Sequence, residues 1–307
     1  HPAIDQSRRA GIEFMLRREE TRILERFPWS TTVSRGCVIQ GITKQAKTRT
    51  LNRFLSEFPQ VLERAAAPGF GMESFQQLIY LVIPMPTDGT KSGFVLAAFL
   101  EIDNVLKTDY AIRYGKSGTL ETQLVHLVNL LVIHKCGLLI VEETQEGHSI
   151  SQKKFGRDFT LFFMRVMNFG IPLVAVGNPL AFEDVAMHAQ TWERMTSCGL
   201  FTMEPAFDWY DPNWVSIIEQ LTAMTTLPES DARIRGRTEL YWREAGGYVK
   251  HAVEIRRHEL LLAHDNGARR VERRHVMAAI ELARRNRDMT LVDALRLRDF
   301  DAIKQKR

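Results

Sequence analysis

Three strand ends in this sequence hold side chains that could do chemistry. The first is Val38-Ile39-Gln40-Gly41-Ile42-Thr43-Lys44-Gln45-Ala46-Lys47-Thr48, an apolar run that passes through a loop into a helix opening on Lys-Thr. That is the spacing of a phosphate-binding P-loop, with Ala46 where the second glycine is expected. In such a loop, backbone N–H groups and the helix N-terminus cradle phosphates. Lys47 would reach the terminal oxygens and Thr48 would hold magnesium. An ordinary basic strand-to-helix turn has a similar composition, so this stretch alone leaves both readings open.

The second is Leu138-Leu139-Ile140-Val141-Glu142-Glu143, an apolar strand that delivers two acids at its end, where ligands sit in an open parallel sheet. Phosphoryl transfer to water requires a magnesium-organising carboxylate and a water-polarising one, the roles open to Glu142 and Glu143. Glu142 is one methylene longer than the aspartate usual in its role, which resets the metal distance. Two acids at a solvated strand end are the plainer alternative. The third is Pro172-Leu173-Val174-Ala175-Val176-Gly177-Asn178-Pro179, whose Asn178 could orient a water, touch a terminal phosphate, or cap the turn before Pro179. The order is rarer than any of its parts: loop, acidic strand end, amide strand end, then helices only.

Positioning such groups takes a sheet. Apolar runs at Val33 to Gln40, Leu78 to Ile83, Leu138 to Val141, Pro172 to Val176 and Leu200 to Met203 read as strands. Helical patterns separate them at Lys47 to Phe58, Ser92 to Leu106, Leu120 to His134, Phe159 to Phe169 and Phe182 to Met195. Alternation of this kind predicts an α/β fold with a parallel sheet covered on both faces. Beyond Asp208 only helices follow, at Trp214 to Met224, Thr238 to Glu244, Tyr248 to His264, Glu272 to Arg285 and Leu291 to Leu297. An amphipathic stretch from Ile12 to Phe27, closed by Pro28, precedes the first strand. The expected organisation is an N-terminal helical arm over 1–32, an α/β core over 33–208 and an all-helical lid over 209–307.

With 45% hydrophobic and 25% charged residues over 307 positions, the chain is neither disordered nor a disulfide scaffold. No apolar run approaches the roughly 20 residues of a membrane span, and no signal pattern opens the sequence. We therefore expect a cytoplasmic location and no membrane partner. Cys37, Cys136 and Cys198 show no CxxC spacing and read as reduced, small buried residues. His126, His134 and His251 fall within helical patterns and read as hydrogen-bonded packing residues. The net charge of +4 is concentrated late: from Asp265 to Arg307 there are twelve Lys and Arg against seven Asp and Glu. Such a surface attracts nucleic acid or is a solvated helical face, and charge alone does not choose.

In its motifs the sequence resembles the AAA+ ATPases and, within them, the TnsC/TniB transposition regulators. The specific likeness lies in Tyr110-Ala111-Ile112-Arg113-Tyr114-Gly115, Leu120-Glu121-Thr122, Gly137 through Gln145, Phe162-Phe163-Met164, Val166-Met167-Asn168 and Gly170 through Pro179. It covers roughly residues 35 to 208, and by helix order the rest. By this resemblance Gly41, Ala46, Lys47 and Thr48 form Walker A, Glu142 and Glu143 form Walker B, and Asn178 is sensor 1. Arg194 falls near the arginine that similar proteins present to the next subunit's nucleotide, and Lys250 near sensor 2.

The resemblance implies ATP and Mg2+ as cofactors and a homo-oligomeric ring or filament around double-stranded DNA. It also implies transposase and target-selector proteins as partners. Candidate DNA contacts are Lys91, Lys107, Arg113, Lys116, Lys153, Lys154 and Arg157 in the core, and Arg269, Arg270, Arg273, Arg274, Arg284, Arg285 and Arg287 in the lid. Backbone contacts of this type give affinity without sequence readout. Ala46 and Glu142 depart from the family pattern, so nucleotide is expected to bind but to be hydrolysed slowly or not at all. Two other functions fit less of the pattern: a hydrolysis-deficient adaptor bridging a partner ATPase or target selector, and a helicase-loader or signalling ATPase unrelated to transposition. The group Phe207, Trp209, Tyr210 and Trp214 is expected to pack where core meets lid, exposed aromatics being able instead to dock a partner.

Overall fold

The computed structural model describes residues 35–42, 45–65, 74–86, 90–116, 118–142 and 153–285, and for 153–160, 180 and 184 the backbone only. The expected arm, the helix from Leu291 to Leu297, Glu143 and Arg287 lie outside the described residues. The chain forms two compact units, one of His1–Ile42 and Lys47–Thr202, the other of Thr43–Ala46 and Met203–Arg307.

The first unit runs β1 (Gly36–Gly41), α1 (Lys47–Leu55), β2 (Val61–Arg64), β3 (Phe75–Leu78), β4 (Leu81–Pro84), α2 (Lys91–Leu106), α3 (Tyr110–Tyr114), α4 (Leu120–Ile133) and β5 (Leu139–Glu142). It continues through α5 (Lys153–Asn168), β6 (Leu173–Gly177), a 3-10 turn (Pro179–Phe182), α6 (Glu183–Ala186), α7 (Ala189–Met195) and β7 (Leu200–Met203). Five strands make one sheet in the order β4-β5-β6-β1-β7, and β2 pairs with β3 apart from it. The pairs β4/β5, β5/β6 and β6/β1 are parallel, with Val38 opposite Ala175, Val141 opposite Ala175 and Ile83 opposite Val141.

The two faces of this sheet follow the period-2 alternation of the strands. Val38, Leu81, Ile83, Leu139, Val141, Leu173 and Ala175 turn to one side, where Phe94, Phe99, Leu127, Leu131, Phe163 and Val166 from α2, α4 and α5 complete a large core. Ile140 and Val176 turn to the other, against Leu51 and Leu55 of α1. Side-chain caps set the helix starts: Thr90 accepts from the Gly93 N–H and Thr119 from the Thr122 N–H.

Two expected elements are divided. The apolar run from Leu78 to Ile83 spans the end of β3 and the start of β4. Leu78 donates its N–H to His134 O and accepts from Gly137, whereas Leu81 donates to Leu138 O. A Cβ at residue 137 would overlap the carbonyl of Ile79, so this crossing needs glycine. The helix expected from Phe182 to Met195 is broken into α6 and α7, because His188 leaves helical backbone geometry at φ −105°, ψ 86°.

The second unit holds α8 (Pro212–Ala223), α9 (Arg237–Ala245), α10 (Val249–Asp265) and α11 (Arg273–Arg285). Their apolar stripes meet around Trp214, Tyr241, Ile255, Val276 and Ile280. Pro212 sits in the first turn of α8 behind an Asp211 cap, the arrangement that suits proline. Among the described residues no helix is long and apolar enough to cross a membrane.

Candidate functional site

The sheet order decides which residues share one edge. Because β6 lies between β1 and β5, the C-terminal ends of these strands bring Gly41, Asn178 and Glu142 into a row across three neighbouring strands. Adjacent strands stand about 4.8 Å apart, so Glu142 lies on the order of 10 Å from Gly41. A phosphate with its cation fits in a span of that size. Gln40 pairs with Gly177, which places Asn178 directly beside the loop that follows Gly41.

Lys47, the first residue of α1, closes the row. Its Nζ donates to the carbonyls of Gly41 at 2.6 Å and Ile42 at 3.1 Å, and to Asn178 Oδ1 at 3.5 Å. A lysine ammonium carries three donors and no acceptor. Among its acceptors are two backbone carbonyls and an amide oxygen, groups that a more strongly accepting anion can replace. Thr48 follows on the exposed side of the first turn of α1. Glu142 is half-buried at the end of β5, its carbonyl accepting from Met85 N–H at 3.0 Å.

The loop itself carries strain. Ala46 takes φ +61°, the left-handed region in which an L side chain crowds its own carbonyl. The residue before the lysine thus has the backbone geometry that glycine serves without cost, while keeping a Cβ. Thr43 and Lys44 lie outside the described residues.

Other residues singled out from sequence stand elsewhere. Arg194, near the C-terminal end of α7, donates to Asn168 Oδ1 at 2.5 Å. Its carbonyl would meet a Cβ built on Gly36, so its backbone packs against the start of β1. That is the opposite end of β1 from Gly41, about 16 to 17 Å away along the six-residue strand. Lys107, Arg113 and Lys116 cluster where α2 passes into α3 and beyond it. Lys107 caps α2 in left-handed geometry and bonds Asn104 O at 2.7 Å, Arg113 pairs with Asp109 at 2.7 Å, and Lys116 is exposed. Lys153, Lys154 and Arg157 open α5, and their side chains are outside the described residues.

Several late arginines are already paired. Arg269 meets Glu229 at 2.6 Å, Arg274 meets Glu272 at 3.1 Å, and Arg284 makes a two-pronged pair with Glu244 at 2.6 and 2.8 Å. Arg270, Arg273 and Arg285 are exposed, as is Lys250 on the first turn of α10. The basic excess of this region is therefore smaller in effect than its count.

Sequence reasoning expected His134 to be a hydrogen-bonded packing residue but not its partners, and it missed a second polar cluster altogether. In the first unit Tyr110, His134 and the Gln76 carbonyl form a chain: His134 Nδ1–H donates to Gln76 O at 3.0 Å, leaving Nε2 to accept from the Tyr110 hydroxyl at 3.0 Å. Burial holds the His134 imidazole below its ordinary range. In the second unit Arg237 and Arg256 meet Asp231 and Glu259 at 2.5 to 3.1 Å, and Tyr241 donates to Glu259 at 2.6 Å. No local spacing announces either, because the partners come from separate elements. The aromatic group also divides: Trp214 is buried and donates to Thr238 O at 3.2 Å, while Trp209 and Tyr210 are 45% and 62% exposed.

Among solved structures, the ORC2 protein of Aeropyrum pernix, in ADPNP–ADP complexes, superposes on this chain with a TM-score of 0.53. The match covers 87% of this chain and 68% of that one at 12% identity. The fold is that of the AAA+ P-loop ATPases. In this chain the core of parallel strands is followed by a helical C-terminal region. The A. pernix ORC1 protein in complex with DNA matches at 15% identity and a TM-score of 0.49, over 80% of this chain and 58% of that one. Cdc6p from Pyrobaculum aerophilum matches at 13% and 0.48, over 83% and 65%. The chain thus spans less than two thirds of ORC1 and Cdc6p. No family model and no curated protein matches the sequence.

Proposed function

We propose that this chain is an ATP-binding AAA+ regulator of DNA transposition that oligomerises on double-stranded DNA and links target-site selection to a transposase. The observation that carries the nucleotide half of this reading is Lys47, which leads α1 and donates to Gly41, Ile42 and Asn178 in one row with Glu142. A cation over a loop of backbone donors, with a carboxylate two strands away, is the donor and acceptor set that a nucleotide triphosphate and Mg2+ require.

In this mechanism the N-terminus of α1 and the backbone around Gly41 and Ala46 hold phosphate oxygens, and Lys47 exchanges its carbonyl partners for them. Thr48 and Glu142 would hold Mg2+, which when bound neutralises charge on the phosphates. Glu143 serves as the water-polarising base and Asn178 orients the water or the terminal phosphate. Arg194, at the far end of β1, reaches a nucleotide only if that nucleotide belongs to a second subunit, as a nucleotide-bridged oligomer provides. Lys107, Arg113, Lys116, Lys153 and Lys154 supply phosphate contacts to duplex DNA, and the helical second unit acts as the lid.

A second reading, a hydrolysis-deficient adaptor that bridges a partner ATPase or target selector, draws on the strained Ala46 and on Glu142 in place of aspartate. One experiment decides between them: titration with labelled ATP, turnover with and without duplex DNA, and duplex binding across a salt series. The leading reading expects micromolar ATP binding, slow turnover, and nucleotide-dependent DNA binding that weakens steeply with salt. Binding without any turnover selects the adaptor. No ATP binding, or indifference to DNA at low salt, defeats the proposal.

A further inference from the structure

We propose that Cys37 and Cys198 form a redox-active thiol pair that closes to an intramolecular disulfide between β1 and the root of β7. These two strands are neighbours in the sheet. Cys198 donates its backbone N–H to Gly36 O at 2.8 Å, and Val38 donates to Gly199 O at 3.1 Å. Cys37 therefore lies between the two residues that are tied to Cys198 and Gly199. Gly199, at φ +124°, supplies the local irregularity that brings both residues opposite one. Strands paired in this way stand about 4.8 Å apart, inside the roughly 4.4 to 6.8 Å Cα separation that a disulfide accepts.

Two further observations point the same way. Burial and then the charge of Cys198 hold the Cys37 thiol above its ordinary range, which leaves Cys198 as the thiol that meets the oxidant and Cys37 as the one that resolves it. Their exposure is also divided as the chemistry needs: Cys198 is open to solvent and Cys37 half-buried. The third cysteine, Cys136, is fully buried, with its Sγ directed at Leu138 O at 3.6 Å.

With hydrogen peroxide as oxidant, the Cys198 thiolate attacks a peroxide oxygen, the O–O bond breaks and hydroxide leaves, giving a sulfenic acid. The Cys37 thiolate then attacks the Cys198 sulfur. The S–S bond forms, the S–O bond breaks, and the two hydroxides released over the two steps take up the two protons lost by the thiols to become water. The two sulfurs together lose two electrons, and peroxide is reduced to two waters. The bridge ties the N-terminal ends of β1 and β7 and encloses β4, β5 and β6 in one covalent loop, at the end of β1 remote from Lys47.

The test is peroxide treatment of the 307-residue chain, followed by non-reducing peptide mapping and thermal unfolding. The expected result is a linked pair of peptides containing Cys37 and Cys198, reversed by dithiothreitol, with an unfolding temperature higher by several degrees than that of the reduced chain. C37S should instead accumulate a sulfenic acid at Cys198 that dimedone traps, and the exposed substitution C198S should yield neither product. Persistence of both thiols as freely alkylatable groups after peroxide, or linkage of Cys198 only between chains, overturns the proposal.

Discussion

The end of the α/β sheet near Lys47 and the buried cluster around Glu259 are built from similar charged residues and treat them in opposite ways. In the helical unit, Arg237, Arg256, Asp231 and Glu259 answer one another, with exposures of their side chains at 10% or less. Arg256 also donates to the carbonyls of Thr222 and Met224, which ties the end of α8 to α10. The Tyr241 phenol, buried against Glu259, is held far above its ordinary range and stays a proton donor. At the sheet edge, by contrast, Lys47 rests on two backbone carbonyls and an amide, beside a residue with left-handed backbone. Charges that complete one another hold a structure. A charge that bonds backbone carbonyls and an amide can exchange them for the oxygens of a ligand.

That contrast can be broken or sharpened by substitution. The largest effect belongs to Glu259→Ala, which leaves two buried arginines facing Asp231 alone and should cost about 3 to 5 kcal/mol of stability. Chemical denaturation followed by circular dichroism measures it, and a loss under about 1 kcal/mol would mean that the cluster is not structural. Lys47→Ala should do the reverse. Stability stays within about 1 kcal/mol, while ATP affinity falls at least about tenfold, or about 1.4 kcal/mol; a variant that unfolds but binds ATP as before contradicts the contrast.

Smaller effects probe the strain and the titrating group. Ala46→Gly removes a left-handed penalty of about 1 to 2 kcal/mol at a backbone-entropy cost of about 0.5 to 1. A net gain of about 0 to 1.5 kcal/mol and tighter, faster nucleotide handling should follow; a lowered melting temperature would show that Ala46 is not strained. The smallest is a pH slope in the first unit. Because the folded His134 pKa lies below the unfolded value, the unfolded chain binds more protons in the interval between them. The His134 contribution is then full above the ordinary histidine value of about 6.5 and is lost as pH falls through it toward the folded value. His134→Gln should flatten that part of the stability–pH curve, and an unchanged slope would assign it to other groups.

Much of the fold was legible because both faces of the sheet are covered. The runs at β5, β6 and β7 are short and apolar, and the expected helices from Lys47 onward begin and end within a few residues of α1, α2, α4 and α8 to α11. The misplaced boundaries have local causes. Leu78 to Ile83 has one hydrophobic pattern but two sets of hydrogen-bond partners, and hydropathy does not report partners. Trp209 and Tyr210 were expected to pack and are exposed, because composition says nothing of what lies opposite an aromatic ring. Lys47, Asn178 and Glu142 were legible as three separate strand ends, each with a plain alternative.

What the sequence determined by itself is the supply: an apolar alternation that makes parallel strands, a Lys-Thr helix start, an acid and an amide at strand ends, and helices to follow. What the tertiary structure decided is adjacency. Only the order β4-β5-β6-β1-β7 sets Asn178 beside Gly41 with Glu142 one strand further, sends Arg194 to the opposite end of β1, and brings Cys37 alongside Cys198. Strand order is set by which faces bury together across the whole core, a sum over distant residues that no single motif contains.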